Sequence, residues 1–314
     1  MWSEHELTAS RGFAMSFEAN HITVCVCTYR RPTLLLRLLE SLARQQVSDR
    51  STFSIVVADN DTEESAREVV TKFAERSLLP IVYGVEHKRN IALARNKAIE
   101  MARGEFIAFI DDDEFPAEDW LTQLRQACDK PRVAGVLGPV KPHFETTPPS
   151  WIIKGGFCDR PEHATGTVLR WWQGRTGNVL FRREILRGVE PPFRPEFGAG
   201  GEDQDFFLRL MDRGCVFTWC NEAVAFEIVP PARWKRRYML KRALLRGRNN
   251  LKHARGRWIA VGKSVVAIPL YLVSLPLMLL GGHHRFMKNS VRLCDHLGRI
   301  LTLLGINPVH EREV

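Results

Sequence analysis

Residues Phe106, Ile107, Ala108, Phe109 and Ile110 form an unbroken apolar run that ends in three carboxylates, Asp111, Asp112 and Asp113. A run this short, and built of aromatic, β-branched and small residues, predicts a strand buried on both faces in the middle of a parallel sheet. Ligands bind at the C-terminal ends of strands in open α/β sheets, so the three carboxylates fall where a site forms. Adjacent carboxylates repel one another, and a divalent cation among them offsets that repulsion. Hard oxygen ligands beside a phosphate-bearing substrate suggest Mg²⁺ or Mn²⁺. Pro116, Glu118 and Asp119 suit the first turn of a helix. A solvated acidic turn leading into that helix is the alternative that the stretch leaves open.

The chain on either side repeats this rhythm. Residues 22–27, 53–58 and 81–85 read as strands, the second ending at Asp59-Asn60-Asp61. Leu34, Leu35, Leu38, Leu39 and Leu42 recur at helical spacing, and residues 91–98 form a second helical segment. Asp61 and Glu64 suggest a capping box for a helix between the second and third strands. Strands alternating with helices predict a doubly wound α/β sheet. After Pro131 the rhythm changes. Residues 133–140 read as a fifth strand, and 141–175 are rich in Pro, Gly, His and Trp without a clean period, which marks a region that carries binding function. A short strand at 179–181 follows. The glycines at 198, 200 and 201 precede Glu202 and Asp203 and open another helix, and residues 216–219 and 223–226 read as edge strands.

With 314 residues the chain can hold one large domain or a domain with an appendage. The seven cysteines are scattered, with no Cys-x-x-Cys pair, so neither a disulfide framework nor a zinc site is expected. No secretory signal is expected in the first twenty residues, which carry Glu4, Glu6 and Glu18. The net charge of +9 is unevenly placed: between Glu227 and Asp295 there are fifteen Lys and Arg and no acid, which leaves the rest of the chain at −6. Such a segment needs a local partner such as an anionic membrane surface or nucleic acid. Residues 232–256 read as a basic helix. Residues 264–282 hold no charge, and at nineteen residues are just long enough to span a bilayer core or to form a hairpin or interfacial helix. Residues 285–304 are amphipathic, as in helices that lie in a membrane interface. The alternative is that this whole tail packs as ordinary core.

Several motifs occur in order: Val24-Cys25-Val26-Cys27-Thr28-Tyr29-Arg30-Arg31, Val56-Val57-Ala58-Asp59-Asn60, Ala94-Arg95-Asn96, Asp111-Asp112-Asp113 and Gly201-Glu202-Asp203. Together they resemble family 2 glycosyltransferases of the GT-A fold. The tail resembles the branch that builds bacterial exopolysaccharides, including succinoglycan-type glucosyltransferases. The resemblance implies a GT-A nucleotide-binding sheet over residues 21–230, divided into a nucleotide-sugar half (21–130) and an acceptor half (131–230). An N-terminal extension (1–20) would precede it, and a basic and apolar helical tail (231–314) would follow. By the same resemblance, Thr28 and Tyr29 line the base pocket, Asp59 accepts a hydrogen bond from the nucleobase, and Arg89 or Arg95 flanks the nucleotide. Asp111 faces the ribose and joins Asp113 at the metal, with Asp112 in its shell. Asp203 is the catalytic base, and Glu202 supports it or touches the acceptor. The donor implied is a nucleotide-sugar, UDP by default, with Mn²⁺ or Mg²⁺. The acceptor implied is a lipid-linked saccharide at the cytoplasmic face of the membrane. Ala232-Arg233-Trp234 resembles the Arg-Trp element of processive members without the full Gln-x-x-Arg-Trp pattern, which favours single sugar addition.

The chemistry is coherent without the resemblance. A nucleotide-sugar leaves a diphosphate behind, and a carboxylate-held cation stabilises its developing charge. A carboxylate across the sugar takes the proton of the attacking hydroxyl, and attack from the opposite face inverts the anomeric centre. A sugar-1-phosphate nucleotidyltransferase would want a glycine-rich loop after the first strand, where Thr28-Tyr29-Arg30-Arg31-Pro32 has no glycine. A nucleic-acid-binding protein would interleave charge with exposed aromatics rather than run into an uncharged apolar segment.

Overall fold

A computed structural model describes residues 18–48, 51–198, 200–252 and 257–306. The N-terminal extension up to residue 17, position 199 of the glycine loop, and residues 307–314 of the tail lie outside the described residues. The first half alternates as expected: β1 (Glu18–Thr28), α1 (Pro32–Leu42), β2 (Thr52–Asp59), α2 (Arg67–Arg76), β3 (Ile81–Val85), α3 (Ile91–Met101) and β4 (Gly104–Phe109). It continues through β5 (Glu114–Pro116), α4 (Trp120–Cys128), β6 (Val133–Leu137), β7 (Val140–His143) and α5 (Ser150–Gly155). Next come β8 (Val179–Arg182), α6 (Glu202–Asp212), β9 (Val216–Trp219) and β10 (Ala225–Ile228). The tail is α7 (Arg236–Lys252), α8 (Arg257–Leu280) and α9 (His283–Leu303).

A seven-stranded sheet runs in the order β3-β2-β1-β4-β8-β6-β9, and β5, β10 and β7 form a small second sheet in the order β5-β10-β7. β1 to β4 are mutually parallel where they pair, and β8 enters antiparallel between β4 and β6. β4 is the central strand of the large sheet, and its alternation explains why no polar residue interrupts it. Phe106, Ala108 and Ile110 join Ile22, Val24, Leu35 and Trp120 in one core, while Ile107 and Phe109 join Cys25, Val56, Phe181 and Phe206 in the other. Each large side chain so buried contributes about 1.5–3 kcal/mol.

Four local expectations are corrected. Residues 133–140 are two strands in different sheets, parted at Gly138-Pro139. Pro139 has no N–H to give a ladder, and a Cβ at Gly138 would lie 2.2 Å from the Ala223 carbonyl oxygen. Pro116 ends β5 on the edge of the small sheet, where a missing N–H is tolerated, and α4 begins only at Trp120. Asp61 and Glu64 make no capping box: Glu64 has φ 53°, α2 starts at Arg67, and Asp61 accepts from Arg30 instead. β9 is an edge strand as expected, but β10 lies in the middle of the small sheet.

In the tail, α9 packs between α7 and α8, and Arg246 of α7 pairs with Asp295 of α9. A polar seam joins α8 to α9. Asn289 donates to the Tyr271 carbonyl (3.0 Å) and the Ser274 hydroxyl (2.8 Å), and His296 meets Ser264 at 3.0 Å. Trp151 of α5 meets His283 edge-on, with ring centroids 5.1 Å apart, which fixes α9 to the α/β body. α8 is not ordinary core. Val265, Val266, Leu270, Val273, Leu277 and Leu280 are exposed, and Trp258–Leu280 is long and apolar enough to cross a membrane.

Candidate active site

The C-terminal ends of β1, β2 and β4 meet at one edge of the sheet. Parallel pairing sets Thr28 beside Asp59 and leads Phe109 and Ile110 into the three aspartates. Asp112 is a brace of this edge: it accepts from the Thr28 hydroxyl (2.8 Å) and from Arg31 (3.0 Å). Burial nonetheless pushes its carboxyl up to about 6, against the pull of Arg31. Asp113 accepts from Arg31 (3.3 Å) and from Arg233 (2.6 Å). Asp111 leaves 46% of its side chain open to the cleft, with Arg95 at 3.8 Å. The surrounding protein first, and then the Asp113 charge, raise its carboxyl; Arg95 opposes them.

A second layer lies beneath, which the sequence reading missed. Glu114 is buried and accepts from the Asp111 backbone N–H at 3.3 Å, while its Oε1 has no hydrogen bond. Burial, and then Asp111, raise it well above the usual carboxylate range. Arg160 bridges Glu227 (2.5 Å) and Glu114 (3.6 Å), and Arg233 bridges Glu227 (2.5 Å) and Asp113. Against burial, Arg160 and Arg233 hold Glu227 below its ordinary value. Glu114 stood directly after three flagged aspartates, and Arg233 within the noted Arg-Trp element. Glu227 and Arg160 carried no local signal at all.

The opposite side of the cleft is built by α6. Gly200 and Gly201 adopt φ values of 121° and 100°, a region that favours glycine, and this turns the chain so that Glu202 and Asp203 start the helix facing the cleft. The buried Glu202 accepts from Arg95 through Oε1, while its Oε2 has no hydrogen bond. Asp203 is half-buried, and burial, followed by the Glu202 charge, pushes its carboxyl up to about 6. One guanidinium, Arg95, thus touches α6 at Glu202 and the strand-end side at Asp111.

The expected nucleotide residues also gather here. Tyr29 lies between two guanidiniums, Arg89 at 4.8 Å and Arg30 at 5.3 Å from its ring centroid. Asp59 is wholly buried. Its carboxylate accepts from the backbone N–H groups of Asp61 (3.1 Å) and Ala66 (2.8 Å) and from the Tyr83 hydroxyl (2.9 Å), so it anchors the loop beneath this region. Asn178 is fully buried at φ 60°. It joins Trp120 Nε1 to the carbonyls of Pro139 and Ala223, which is a structural task.

The cleft gathers Asp111, Asp112, Asp113, Glu114, Glu202, Asp203 and Glu227 against Arg31, Arg95, Arg160, Arg175 and Arg233, an excess of two negative charges with every group ionised. Among the described residues no three His, Cys, Asp or Glu side chains form a metal-holding group. The donor chemistry still fits one hard divalent cation: the surplus charge matches it, Asp111 opens to the cleft, and a bound diphosphate can supply the remaining oxygen ligands.

Comparison with known proteins agrees with this arrangement. The Glycosyl transferase family 2 model matches residues 23–188, and the Glycosyl transferase family group 2 model matches residues 106–294. The chain therefore belongs to glycosyltransferase family 2 and is a glycosyltransferase. It is 33% identical over 311 residues to the succinoglycan biosynthesis protein ExoM of Rhizobium meliloti (strain 1021), covering 95% of this chain and 97% of that protein. Among solved structures it resembles the mannosyltransferase PcManGT from Pyrobaculum calidifontis, in complex with GDP-Man and Mn²⁺, with a TM-score of 0.64 at 19% identity, covering 90% of this chain and 86% of that one. It also resembles S. aureus TarS 1–349 in complex with UDP-GlcNAc, with a TM-score of 0.53 at 16% identity, covering 92% of this chain and 93% of that one. These two likenesses show the GT-A type of fold. Family membership displaces the nucleotidyltransferase and nucleic-acid-binding alternatives.

Proposed function

We propose that the protein transfers a sugar, with inversion, from a nucleotide-sugar to a hydroxyl of a lipid-linked saccharide in exopolysaccharide biosynthesis. UDP is the preferred nucleotide. The observation that carries the reading is the placement of Asp203 across one guanidinium, Arg95, from the strand-end aspartates. Likeness to a succinoglycan biosynthesis protein along nearly the whole chain supports the pathway class. Residues 21–130 act as the nucleotide-sugar half, 131–230 as the acceptor half, and 231–314 as the membrane-associating tail.

Tyr29, with Arg30 and Arg89 on its ring, and Thr28 line the base pocket, and Asp59 shapes it by anchoring the loop below. Asp113 and Asp111 would hold the divalent cation, next to Asp112, which Thr28 and Arg31 fix in place. The cation, when bound, supplies Lewis-acid stabilisation of the diphosphate charge. Asp203 takes the proton from the acceptor hydroxyl as its oxygen attacks the anomeric carbon. Glu202, held by Arg95, keeps α6 and its base in place.

A titration of UDP with and without Mn²⁺ tests the donor and metal roles together. Asp113→Asn is expected to abolish turnover and the metal-dependent part of UDP binding, because an amide is a poorer ligand for a hard cation. Unchanged Mn²⁺-dependent affinity in that variant would remove Asp113 from the metal site.

The tail reading is sharpened by packing. The 24 residues of α8 extend about 36 Å at 1.5 Å per residue, long enough to cross a hydrocarbon core of about 30 Å. Yet α9, with Arg292, Asp295 and Arg299, packs along it through Asn289 and His296. A spanning α8 would shed α9 or draw those charges into hydrocarbon. An in-plane helix avoids both costs, with its apolar side in the cytoplasmic leaflet and the basic residues of α7 and α9 over anionic headgroups. The full chain is therefore expected in the membrane fraction, with both ends of α8 open to protease from one side of a vesicle. Protection of one end alone would establish a span, and a wholly soluble chain at low salt without detergent would end the membrane reading.

A further inference from the structure

Arg31, Arg95, Arg160 and Arg233 each lie within 4 Å of at least one carboxylate. Arg175 is the exception in the cleft: among the described residues it forms no hydrogen bond and no ion pair. Its placement is not a matter of surface chance. The segment 174–178 is held at both ends. A Cβ at Gly174 would lie 2.3 Å from the Phe207 ring of α6, and one at Gly177 would lie 2.9 Å from Glu114 Oε1 and 3.0 Å from Asp111 Oδ2. Beyond it, Asn178 locks the backbone to Trp120, Pro139 and Ala223. Between these anchors Thr176 is buried with its hydroxyl unpartnered, and Arg175 is half-buried. The segment therefore crosses the cleft floor from the base helix to the strand-end aspartates. The charges acting on Arg175 are those of Arg160, Glu114, Asp203 and Glu227.

None of the guanidinium nitrogens of Arg175 is among the sealed, unpartnered polar atoms of the described residues, so a ligand can reach them, yet the half-buried side chain has no paired charge to offset the water it gives up. Burial, and then the Arg160 charge, lower the Arg175 pKa, so the free protein disfavours the charge at this position. An arriving anion reverses that penalty, and the planar fork of arginine matches phosphate oxygens two at a time.

We propose that Arg175 is a phosphate-binding residue of the active site, engaging the diphosphate of a substrate above the segment 174–178. The proposal rests on the glycosyltransferase reading above. That reading offers two sources of the same chemistry: the leaving diphosphate of the donor and the diphosphate that tethers a lipid-linked acceptor. As the donor source, Arg175 would stabilise charge opposite the cation as the bond from anomeric carbon to phosphate oxygen breaks and the electron pair goes to the diphosphate. As the acceptor source, it would orient the acceptor.

The test measures binding to the full chain of UDP, uridine, inorganic pyrophosphate and a short-chain prenyl diphosphate, each with Mn²⁺ and with EDTA, for wild type, Arg175→Gln and Arg175→Lys. Ligand-free melting temperatures act as the folding control. Loss of one charge-assisted contact to phosphate, worth about 1.5–3 kcal/mol, corresponds to a fall of about ten- to a hundredfold. Arg175→Gln is expected to lose that much affinity for UDP and pyrophosphate, leave uridine unchanged, and be partly rescued by Arg175→Lys, which identifies the donor diphosphate. The same loss confined to the prenyl diphosphate identifies the acceptor. If wild type binds UDP and every phosphate ligand binds both variants as well as wild type, Arg175 is not a phosphate site and the proposal falls alone. If wild type binds no nucleotide and no prenyl diphosphate, the underlying donor and acceptor reading fails with it.

Discussion

Asp203→Asn is expected to bind the nucleotide-sugar with unchanged affinity and to lose at least ~10²-fold in transfer rate. The amide keeps the shape and the start of α6 but takes no proton from the acceptor. The wild-type rate has a sign that follows from the same carboxyl. Burial first and the Glu202 charge second raise Asp203 to about 6, so its base form is complete above that pH and is lost as pH falls through about 6. The acid limb of kcat/KM in the free enzyme is therefore expected near 6, above the ordinary aspartate range. A pH profile on wild type and Asp203→Asn checks both statements, since the variant should lose the limb together with the rate. Normal transfer by Asp203→Asn with failure of Glu202→Gln would exchange the two roles.

The largest loss of stability is expected from Arg95→Met. Arg95 is buried, its pair with Glu202 is buried, and Glu202 Oε2 already lacks a hydrogen bond. Burial works against the Arg95 charge, yet Glu202 and Asp111 hold it above its ordinary value. Methionine fills a similar volume without charge and leaves Glu202 as an uncompensated buried carboxylate. Breaking a buried pair from one side costs about 3–5 kcal/mol. Replacing both partners by apolar residues removes the stranded charge, so Arg95→Met with Glu202→Leu should recover most of the loss. Urea midpoints of the two single variants and the double variant measure this coupling, and a single-variant cost under about 1 kcal/mol would show the pair to be weak. The single variant also removes the charge that lowers Asp203, so its residual acid limb should move to higher pH.

The sequence by itself determined the alternation of strands and helices through residue 110, because hydrophobic periodicity is local. It also determined that the run 106–110 is buried on both faces and that its three aspartates end at a site edge. The family motifs at Thr28, Asp59, Arg95, Asp111, Asp112, Asp113, Glu202 and Asp203 could be read in order, and the structure gathers them around one cleft. Element boundaries fared worse where two packing options share a composition. Pro116 suits a helix start and an edge-strand end equally well, and pairing with Ala225 selects the second. Residues 133–140 look continuous until two different sheets divide them.

Only the tertiary structure decided the partnerships. Asp112 and Asp59 read alike as polar strand ends, yet Thr28 and Arg31 claim the first, while two loop N–H groups and Tyr83 claim the second. Arg233 and Asp113, 120 positions apart, meet at 2.6 Å, and Arg160 and Glu227, 67 apart, meet at 2.5 Å. No local pattern encodes such pairs. A buried charge requires a partner, but which distant residue supplies it depends on the crossing of segments that sequence spacing does not fix. The same limit applies to the tail. Its lack of acids and its apolar stretch are matters of composition, whereas the packing of charged α9 against the middle of α8 exists only once the three helices are folded together.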